Sequence, residues 1–183
     1  GTVATMPIAE TDFAVTVRAR PQVTAPDVTL TEGDALAGQV TATDADTPAA
    51  DLVYAKVAGP DWITVDPATG ALSGDSTGQA GAVEVTVSAT DPDGLAGTAR
   101  FTVDVNAPPS LAVADGTLRS GEPLALTPTV GDADTPAADL TFAKLAGPDW
   151  ITVDPETGRI SGDTTGRFGS FEGRIRVTDA DGL

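Results

Sequence analysis

Residues 58–70 decide the fold and read Ala58-Gly-Pro-Asp-Trp62-Ile-Thr-Val65-Asp-Pro-Ala-Thr-Gly70. The same stretch returns almost letter for letter at residues 146–158, with Trp150 in the place of Trp62. The offset between the two tryptophans is 88 residues (150 − 62), in a chain of 183. The chain is therefore a tandem repeat, and its length suits about two domains.

Each copy of this stretch predicts a β-hairpin. Residues 62–65 combine aromatic and β-branched side chains, as half-buried strands do. Residues 66–70 follow as a turn, because proline presets φ and glycine accepts a positive φ. Residues 71–74 then form the returning strand. A buried tryptophan removes about 150–250 Å² of surface from water, so we predict that Trp62 and Trp150 are core residues. The alternative is that they are exposed platforms on which a ligand stacks.

The composition favours an all-β protein that is not an enzyme. Valine, threonine, glycine and proline abound, whereas the helix formers leucine, glutamate, lysine and glutamine are scarce. There is no cysteine, so the fold uses no disulfides. There is also no histidine, which removes the commonest general base and zinc ligand and leaves serine or cysteine nucleophiles without their usual partner.

The formal net charge of −17 points to a cation as the natural partner. A field of this sign repels nucleic acid and anionic membrane surfaces. No run of about 20 apolar residues exists, so membrane insertion of this segment is not expected. We expect the chain to be a piece of a longer protein.

The repeat divides the chain into three segments. Residues 1–20 are predicted to hold the last strand of a preceding repeat, or a donor strand, because residues 13–17 match residues 101–105 at the same offset of 88. Residues 21–106 form a complete β-sandwich, and residues 107–183 a second one that lacks its last strand. Candidate strands of the complete sandwich are residues 28–30, 37–42, 52–57, 62–65, 71–73, 83–89 and 98–105.

The missing last strand leaves two interpretations. An open sheet edge invites strand addition, so residues 11–17 of one molecule could complete residues 108–183 of the next. Such a head-to-tail contact propagates into a filament unless it closes into a ring. The alternative is a fragment boundary with a frayed end.

Four Asp-x-Asp motifs recur at fixed places in the two repeats. In a sandwich both motifs of one domain would project from the same end, where their carboxylates repel one another unless a counter-ion is present. Calcium suits such oxygen-rich turns better than magnesium or zinc. The alternative is that these aspartates only cap their own turns. The motifs begin at Asp44, Asp91, Asp132 and Asp179.

These residues resemble the cadherin superfamily, in particular dystroglycan-type and bacterial cadherin-like tandem repeats of surface or secreted proteins. Residues 63–72 and 151–160 are similar to the family's Ile-Asp-x-x-Thr-Gly-x-Ile hairpin. Residues 40–46 and 130–134 resemble its Asp-x-Asp calcium motif, and residues 85–91 the later strand that ends in a ligand aspartate. The resemblance implies tandem Ig-like sandwiches joined through calcium.

The resemblance also implies a ligand set at the junction of the two domains. The family linker usually reads Asp-x-Asn-Asp-Asn, and this chain omits the last two letters, so one or two ions are expected rather than three. The implied ligands are Glu32, Asp75, Asp104 and Asn106 from the first domain and Asp132, Asp134 and Asp179 from the second.

The preceding junction differs because its linker reads Arg18-Ala-Arg20. Its candidate ligands are Asp44, Asp46 and Asp91, and the two guanidinium groups are expected to neutralise them without metal. The sequence therefore predicts calcium at the Asp132 site and not at the Asp44 site.

Three function classes remain. The first is a calcium-stiffened spacer or adhesive module of a large extracellular protein, whose candidate partners are neighbouring repeats and further copies of the same protein. The second is a filament or matrix subunit assembled by strand donation. The third is a carbohydrate-binding accessory domain, which needs a row of exposed aromatic side chains.

Overall fold

The structure is a computed structural model that describes residues 11–183. Within them the regular structure consists of β-strands and two single-turn 3₁₀ segments, Ala49–Asp51 and Ala137–Asp139. The strands form two β-sandwich domains, and corresponding elements recur 88 residues apart. The predicted all-β tandem fold is confirmed.

The first domain is a complete two-sheet sandwich. One sheet has the strand order β2-β9-β8-β5, with β2 parallel to β9 and the other pairs antiparallel, and the other sheet has the order β3-β7-β6. A short pair, β1 with β4, closes one end. The strands are β1 Gln22–Thr24, β2 Val28–Thr31, β3 Ala35–Gln39, β4 Thr41–Thr43, β5 Val53–Ala58, β6 Ile63–Val65, β7 Ala71–Asp75, β8 Gly81–Thr90 and β9 Ala96–Asn106.

The second domain repeats this plan with fewer strands. Its sheets have the orders β11-β15-β14, β13-β16 and β10-β12. Among the described residues it has no strand at the place that β9 takes in the first domain. The strands are β10 Ser110–Ala112, β11 Pro123–Leu126, β12 Thr129–Gly131, β13 Thr141–Ala146, β14 Ile151–Val153, β15 Ile160–Asp163 and β16 Arg174–Thr178.

The predicted hairpin forms in both repeats, and a glycine on its returning strand makes room for the tryptophan. β6 pairs with β7, and Ile63 lies opposite Gly74. A Cβ atom at Gly74 would lie 2.6 Å from the carbonyl oxygen of Trp62 and 2.9 Å from its ring, closer than side chains approach. Gly162 meets Trp150 in the same way. Trp62 is partly buried against the first core, as predicted.

The sequence prediction of one strand over residues 37–42 is wrong in detail. The chain changes sheets there: β3 pairs with β7, whereas β4 pairs with β1. Val40 lies between the two strands, fully buried, and its N–H donates to the carbonyl oxygen of Gly70 at 2.9 Å. β1 was not predicted, because its three residues lie between two prolines and carry little pattern.

The two hydrophobic cores differ in size. In the first domain a continuous cluster reaches from Leu36 to Val105, with Val40, Ile63, Val85, Val87 and Val103 wholly shielded from water. In the second domain the buried cluster consists of Leu140, Phe142 and Val177. The difference follows from the missing strand, since Phe101, Val103 and Val105 of β9 contribute heavily to the first core.

Residues 11–20 form no strand in this structure, and their side chains are largely exposed. The period-2 pattern at residues 13–17 had predicted one. A strand needs a hydrogen-bonding partner, and this segment has none within the described part of its own chain. Residues 1–10 of the predicted terminal strand lie outside the described residues.

Candidate metal centre at the domain seam

Each Asp-x-Asp motif begins directly after a strand, and the two motifs of one domain lie at the same end of it. Asp44 follows β4 and Asp91 follows β8; Asp132 follows β12 and Asp179 follows β16. The end that carries the motifs of the second domain faces the first domain, which we call the seam. This is the placement that the sequence predicted.

The first aspartate of each motif uses one carboxylate oxygen to cap its own turn. Oδ1 of Asp132 accepts from the N–H groups of Asp134 and Thr135 at 3.1 and 3.0 Å. Oδ1 of Asp179 accepts from three successive N–H groups, those of residues 181–183, at 2.7 to 3.0 Å. The turn-capping interpretation is thus correct for Oδ1. It leaves the second oxygen, Oδ2, free to face the seam.

Two contacts from the linker bring these carboxylates together. Nδ2 of Asn106 donates to Oδ2 of Asp179 at 3.2 Å. The N–H of Ala107 donates to Oδ1 of Asp134 at 3.0 Å. The structure therefore gathers four of the predicted ligands, which we call the seam cluster: Asn106, Asp132, Asp134 and Asp179.

The seam cluster contains buried oxygen atoms that lack hydrogen-bond partners. Asn106 is 8% exposed and Asp179 is 5% exposed. Oδ1 of Asn106 and Oδ2 of Asp132 are shielded from water, yet neither accepts a hydrogen bond within the described chain. Buried polar atoms are nearly always paired, because leaving one unpaired costs about 1–3 kcal/mol. These two atoms are hard oxygens of the kind that calcium binds.

The electrostatics of the cluster also favour a positive partner. Burial raises the pKa of Asp134, and the neighbouring carboxylates of Asp132 and Asp179 raise it further. The hydrogen bond from the N–H of Ala107 lowers the pKa but does not outweigh these effects. Burial also opposes ionisation of Asp179, but hydrogen bonds from Leu183, Asn106 and neighbouring N–H groups outweigh it and lower its pKa. The salt bridges of residues 11–183 are Arg18–Asp93 and Arg100–Glu84, and neither lies in the cluster.

The side chains of the other predicted junction ligands form no hydrogen bond with those of the seam cluster. The N–H of Glu32 donates to the carbonyl oxygen of Asn106 at 2.8 Å, while its carboxylate accepts from Gly78 at 3.0 Å. Asp75 caps its own turn by accepting from the N–H of Thr77 at 2.9 Å. Asp104 lies within β9 on an exposed face.

Sequence reasoning missed two acidic residues beside the seam. A cavity of about 330 Å³ adjoins Asn106, and its wall includes Asp34 and Asp181. Asp181 is the second acid of its Asp-x-Asp motif, so the motif carried a signal for it. Asp34 follows a glycine turn after Glu32, and no spacing rule singled it out.

The corresponding site at the start of the first domain has a different partner set. Arg18 forms a salt bridge with Asp93, and the N–H of Ala19 donates to Oδ1 of Asp46 at 3.1 Å. The prediction that the arginines neutralise Asp44, Asp46 and Asp91 is therefore wrong in its partner, because the guanidinium of Arg18 reaches the second acid of the later motif. Oδ2 of Asp44 remains buried without a hydrogen-bond partner.

The two ends share a common arrangement and differ at the residue before the linker alanine. Arg18 and Ala19 of the first linker correspond to Asn106 and Ala107 of the second, 88 residues later. Both alanine N–H groups donate to the second aspartate of a motif. The preceding residue is a cation in one case and a neutral amide in the other.

Neither a formed metal site nor a membrane-spanning helix is found in the described part of the chain. Among residues 11–183, no three acidic side chains already stand in an arrangement that could hold a metal ion. No helix of residues 11–183 has the length and apolar character needed to cross a membrane.

The two sandwiches define a tandem Ig-like repeat protein. The chain belongs to the He_PIG family, described as "Putative Ig domain", whose model matches residues 13–106 and again residues 108–183. No curated protein sequence matches the chain.

Solved structures to which the chain is similar include cadherin ectodomains. The chain is similar to the protocadherin gamma B4 extracellular domain, with a TM-score of 0.58 and 18% identity over 88% of this chain and 32% of that one. For protocadherin gamma B2 extracellular cadherin domains 3–6 the TM-score is 0.56 and the identity 18%, over 88% of this chain and 47% of that one. For the human desmocollin-1 ectodomain the TM-score is 0.54 and the identity 19%, over 88% of this chain and 37% of that one. The cadherin-like Ig fold is thus confirmed, and the chain spans less than half of each of these structures.

Proposed function

We propose that the chain is a calcium-binding structural repeat module of a large extracellular protein, serving as a spacer or adhesive element. The observation that carries this proposal is the seam cluster, in which Oδ2 of Asp132 and Oδ1 of Asn106 are buried without partners. A divalent cation is the kind of partner that such oxygen atoms accept. It would also offset the repulsion among the carboxylates of Asp132, Asp134 and Asp179.

The ion would act on the linker between the domains. Asn106 ends β9 and Ala107 precedes two prolines, so the seam cluster joins the last strand of one sandwich to the turns of the next. Without a cation the carboxylates repel one another across this joint. With one, the two domains are held as a stiff rod, which is what a spacer between a cell surface and its target requires.

The donor set favours calcium over smaller or softer ions. Every candidate atom is a carboxylate, amide or carbonyl oxygen, and the chain contains neither histidine nor cysteine. Calcium accepts six to eight oxygens in flexible geometry, including bidentate carboxylates and water. The further ligands that we propose are Asp134 and Asp179 of the seam cluster, with Asp34, Asp181 and Glu32 as candidates beside it.

We propose that the first domain's motif pair binds no calcium in this chain, although Oδ2 of Asp44 is buried without a partner as Oδ2 of Asp132 is. The positive charge of Arg18 already offsets the carboxylate of Asp93 there. The two linkers therefore differ in what they supply: Asn106 offers an amide oxygen as a ligand, whereas Arg18 offers a positive charge.

We favour this function over carbohydrate binding because the tryptophans do not form an exposed row. Trp62 packs against the first core. Trp150 is half-buried, with Phe171 edge-on at 5.2 Å and the guanidinium of Arg167 over its ring at 5.0 Å.

Isothermal titration of calcium into the chelator-treated chain tests the proposal. Asp132→Asn keeps the turn-capping oxygen but removes the charge, so it should weaken calcium binding at least tenfold. Asp44→Asn is the matched control 88 residues earlier and should leave binding unchanged. Equal losses in the two variants would contradict the asymmetry, and no heat of binding in the parent chain would contradict the function.

A further inference from the structure

The chain enters each domain along a short segment that lies against the acidic turns of that domain. We call residues 18–24 the first strap and residues 106–112, which lie 88 positions later, the second strap. In each strap an alanine N–H donates to the second aspartate of a motif. Ala19 donates to Asp46 at 3.1 Å, and Ala107 donates to Asp134 at 3.0 Å. The two straps therefore offer a matched comparison within one molecule.

The later half of the first strap is held by packing. Pro21 is buried, and its carbonyl group lies against Gly97 of β9. A Cβ atom at position 97 would lie 1.8 Å from the carbonyl oxygen of Pro21 and 3.3 Å from a methyl group of Val23, so only glycine leaves room for the strap. Residues 22–24 then form β1 and pair with β4. None of these contacts involves a charged group.

The earlier half of the first strap is held by charge. The guanidinium group of Arg18 forms a salt bridge with Asp93, and the two side chains are 51% and 33% exposed. Arg20 adds a second positive charge two residues later. An exposed ion pair is weak, and dissolved salt screens it. The hold on residues 18–20 should therefore depend on ionic strength, whereas the packing of Pro21 should not.

The second strap carries neutral residues where the first strap carries its charges. Asn106 and Pro108 take the places of Arg18 and Arg20, and residues 106–112 include no charged side chain. Nδ2 of Asn106 donates to Asp179 at 3.2 Å, so an amide hydrogen bond takes the place of the ion pair.

The two ends therefore differ in their charge balance. The first strap places two arginines against four aspartates, and the second strap places no positive charge against four aspartates. Salt screens attraction between the strap and the turns at the first end, but at the seam it screens only repulsion among carboxylates. The four aspartates are Asp44, Asp46, Asp91 and Asp93 at the first end and Asp132, Asp134, Asp179 and Asp181 at the seam.

We propose that residues 18–20 are a latch that monovalent salt opens, whereas the same salt does not loosen residues 106–107 at the seam. The two joints of the chain then respond differently to one solute, because one is held by an ion pair and the other is opposed by like charges. Packing at Pro21 keeps β1 in place when the latch opens, so the change is confined to the residues before it. The inference concerns the arginine strap and holds whether or not the seam binds calcium.

Exchange of single backbone amides with water, measured by NMR on the full chain in chelator, tests the proposal. The two reporters are the N–H groups of Ala19 and Ala107. Sodium chloride is raised from about 0.01 M to about 1 M, so the screening length falls from about 30 Å to about 3 Å. Protection of Ala19 should fall roughly two- to fivefold, as expected for loss of an exposed ion pair, and that of Ala107 should not fall. A peptide of residues 16–22 corrects for the effect of salt on intrinsic exchange.

Two outcomes of this measurement would overturn the proposal. One is protection of Ala19 that stays constant or rises with salt. The other is a parallel loss at Ala19, Ala107 and the amides of β1, which would mean that salt loosens both straps as a whole. Protection of the β1 amides should instead persist at every salt concentration, because packing against Gly97 holds them.

A pair of arginine variants tests whether Arg18 carries the effect. Arg18→Gln removes the charge but keeps a long polar side chain, so exchange at Ala19 should be fast already in low salt and should respond little to added salt. Arg100→Gln is the matched control, because it breaks the other exposed salt bridge, to Glu84, and should leave Ala19 as in the parent chain. A full salt response in Arg18→Gln, or equal effects of the two variants, contradicts the assignment.

A spin label before the strap gives a second, independent readout. The chain contains no cysteine, so Thr16→Cys provides a single attachment point. With the latch closed, the label should broaden the NMR signals of the turn at residues 91–95, and this broadening should decrease in high salt. In the Arg18→Gln background it should be weak at both salt concentrations. Broadening that is strong and independent of salt in the parent chain contradicts the latch.

Discussion

Replacing the equivalent isoleucine in each of the two hairpins should lower the free energy of unfolding by different amounts. Ile63 is 0% exposed and packs in the continuous core of the first domain, whereas Ile151, its counterpart 88 residues later, is half-buried beside an open cleft. The two residues share their identity, their hairpin and their strand partners, so the comparison isolates the effect of burial.

The size of each loss in unfolding free energy follows from how deeply the isoleucine is buried. Ile63→Ala removes three carbon groups at about 0.8 kcal/mol each and leaves a closed cavity, so the loss should be about 3–4 kcal/mol. For a domain of this size, each kcal/mol lowers the melting temperature by roughly 4–8 °C, so the first domain should melt at least 12 °C lower. Ile151→Ala removes surface already partly in water and opens no closed cavity, so about 1–1.5 kcal/mol is expected.

Each domain carries one tryptophan, which allows the two transitions to be followed separately. Urea unfolding of single-tryptophan variants, Trp150→Phe for the first domain and Trp62→Phe for the second, gives each free energy of unfolding. Equal losses for Ile63→Ala and Ile151→Ala would show that the second core is as well sealed as the first, and the reasoning from the missing strand would fail.

Three further predictions concern the hairpin, the acidic turns and the linker. Gly74→Ala should destabilise the first domain by about 1–3 kcal/mol in urea unfolding, because its Cβ would overlap the carbonyl oxygen and ring of Trp62; full stability would contradict this. The hydroxyl and N–H of Thr157 lower the pKa of Asp154, so this carboxylate stabilises the second domain above the ordinary aspartate pKa, and the contribution is lost as the pH falls through the lowered value. Asp154→Asn should flatten the decline of the urea midpoint at acid pH, and an unchanged profile would speak against it. Asn106→Arg should convert the seam to the arginine type and abolish calcium binding in titration calorimetry, whereas retained binding would remove the amide oxygen from the ligand set.

Local sequence patterns were sufficient for most of the fold. The stretch around Trp62 combines strand, turn and returning strand within thirteen residues, and the structure forms that hairpin twice. The prediction failed where tertiary structure overrides the local pattern. At Val40 the chain crosses from one sheet to the other, as the pairing of β3 with β7 and of β4 with β1 shows, and no local pattern signals the crossing.

The candidate site was predictable in part, because the positions of its acidic motifs after strands can be read from the sequence. The Asp-x-Asp motifs follow strands whose ends meet, so spacing alone placed Asp132, Asp134 and Asp179 together. Arg18 reaches Asp93, the second acid of its motif, whereas Oδ1 of Asp91 accepts from N–H groups of its own turn. Side-chain geometry of this kind is not encoded in spacing, and neither is the nearby position of Asp34.

The most direct test of the calcium-bridged seam is the melting temperature of the parent chain with and without the ion. Binding to the native state alone stabilises it by about 2.7 kcal/mol when free calcium is one hundred times the dissociation constant. We expect a higher melting temperature in calcium than in chelator, and a clearly smaller difference for Asp132→Asn. Superimposable melting curves of the parent chain in calcium and in chelator would contradict it.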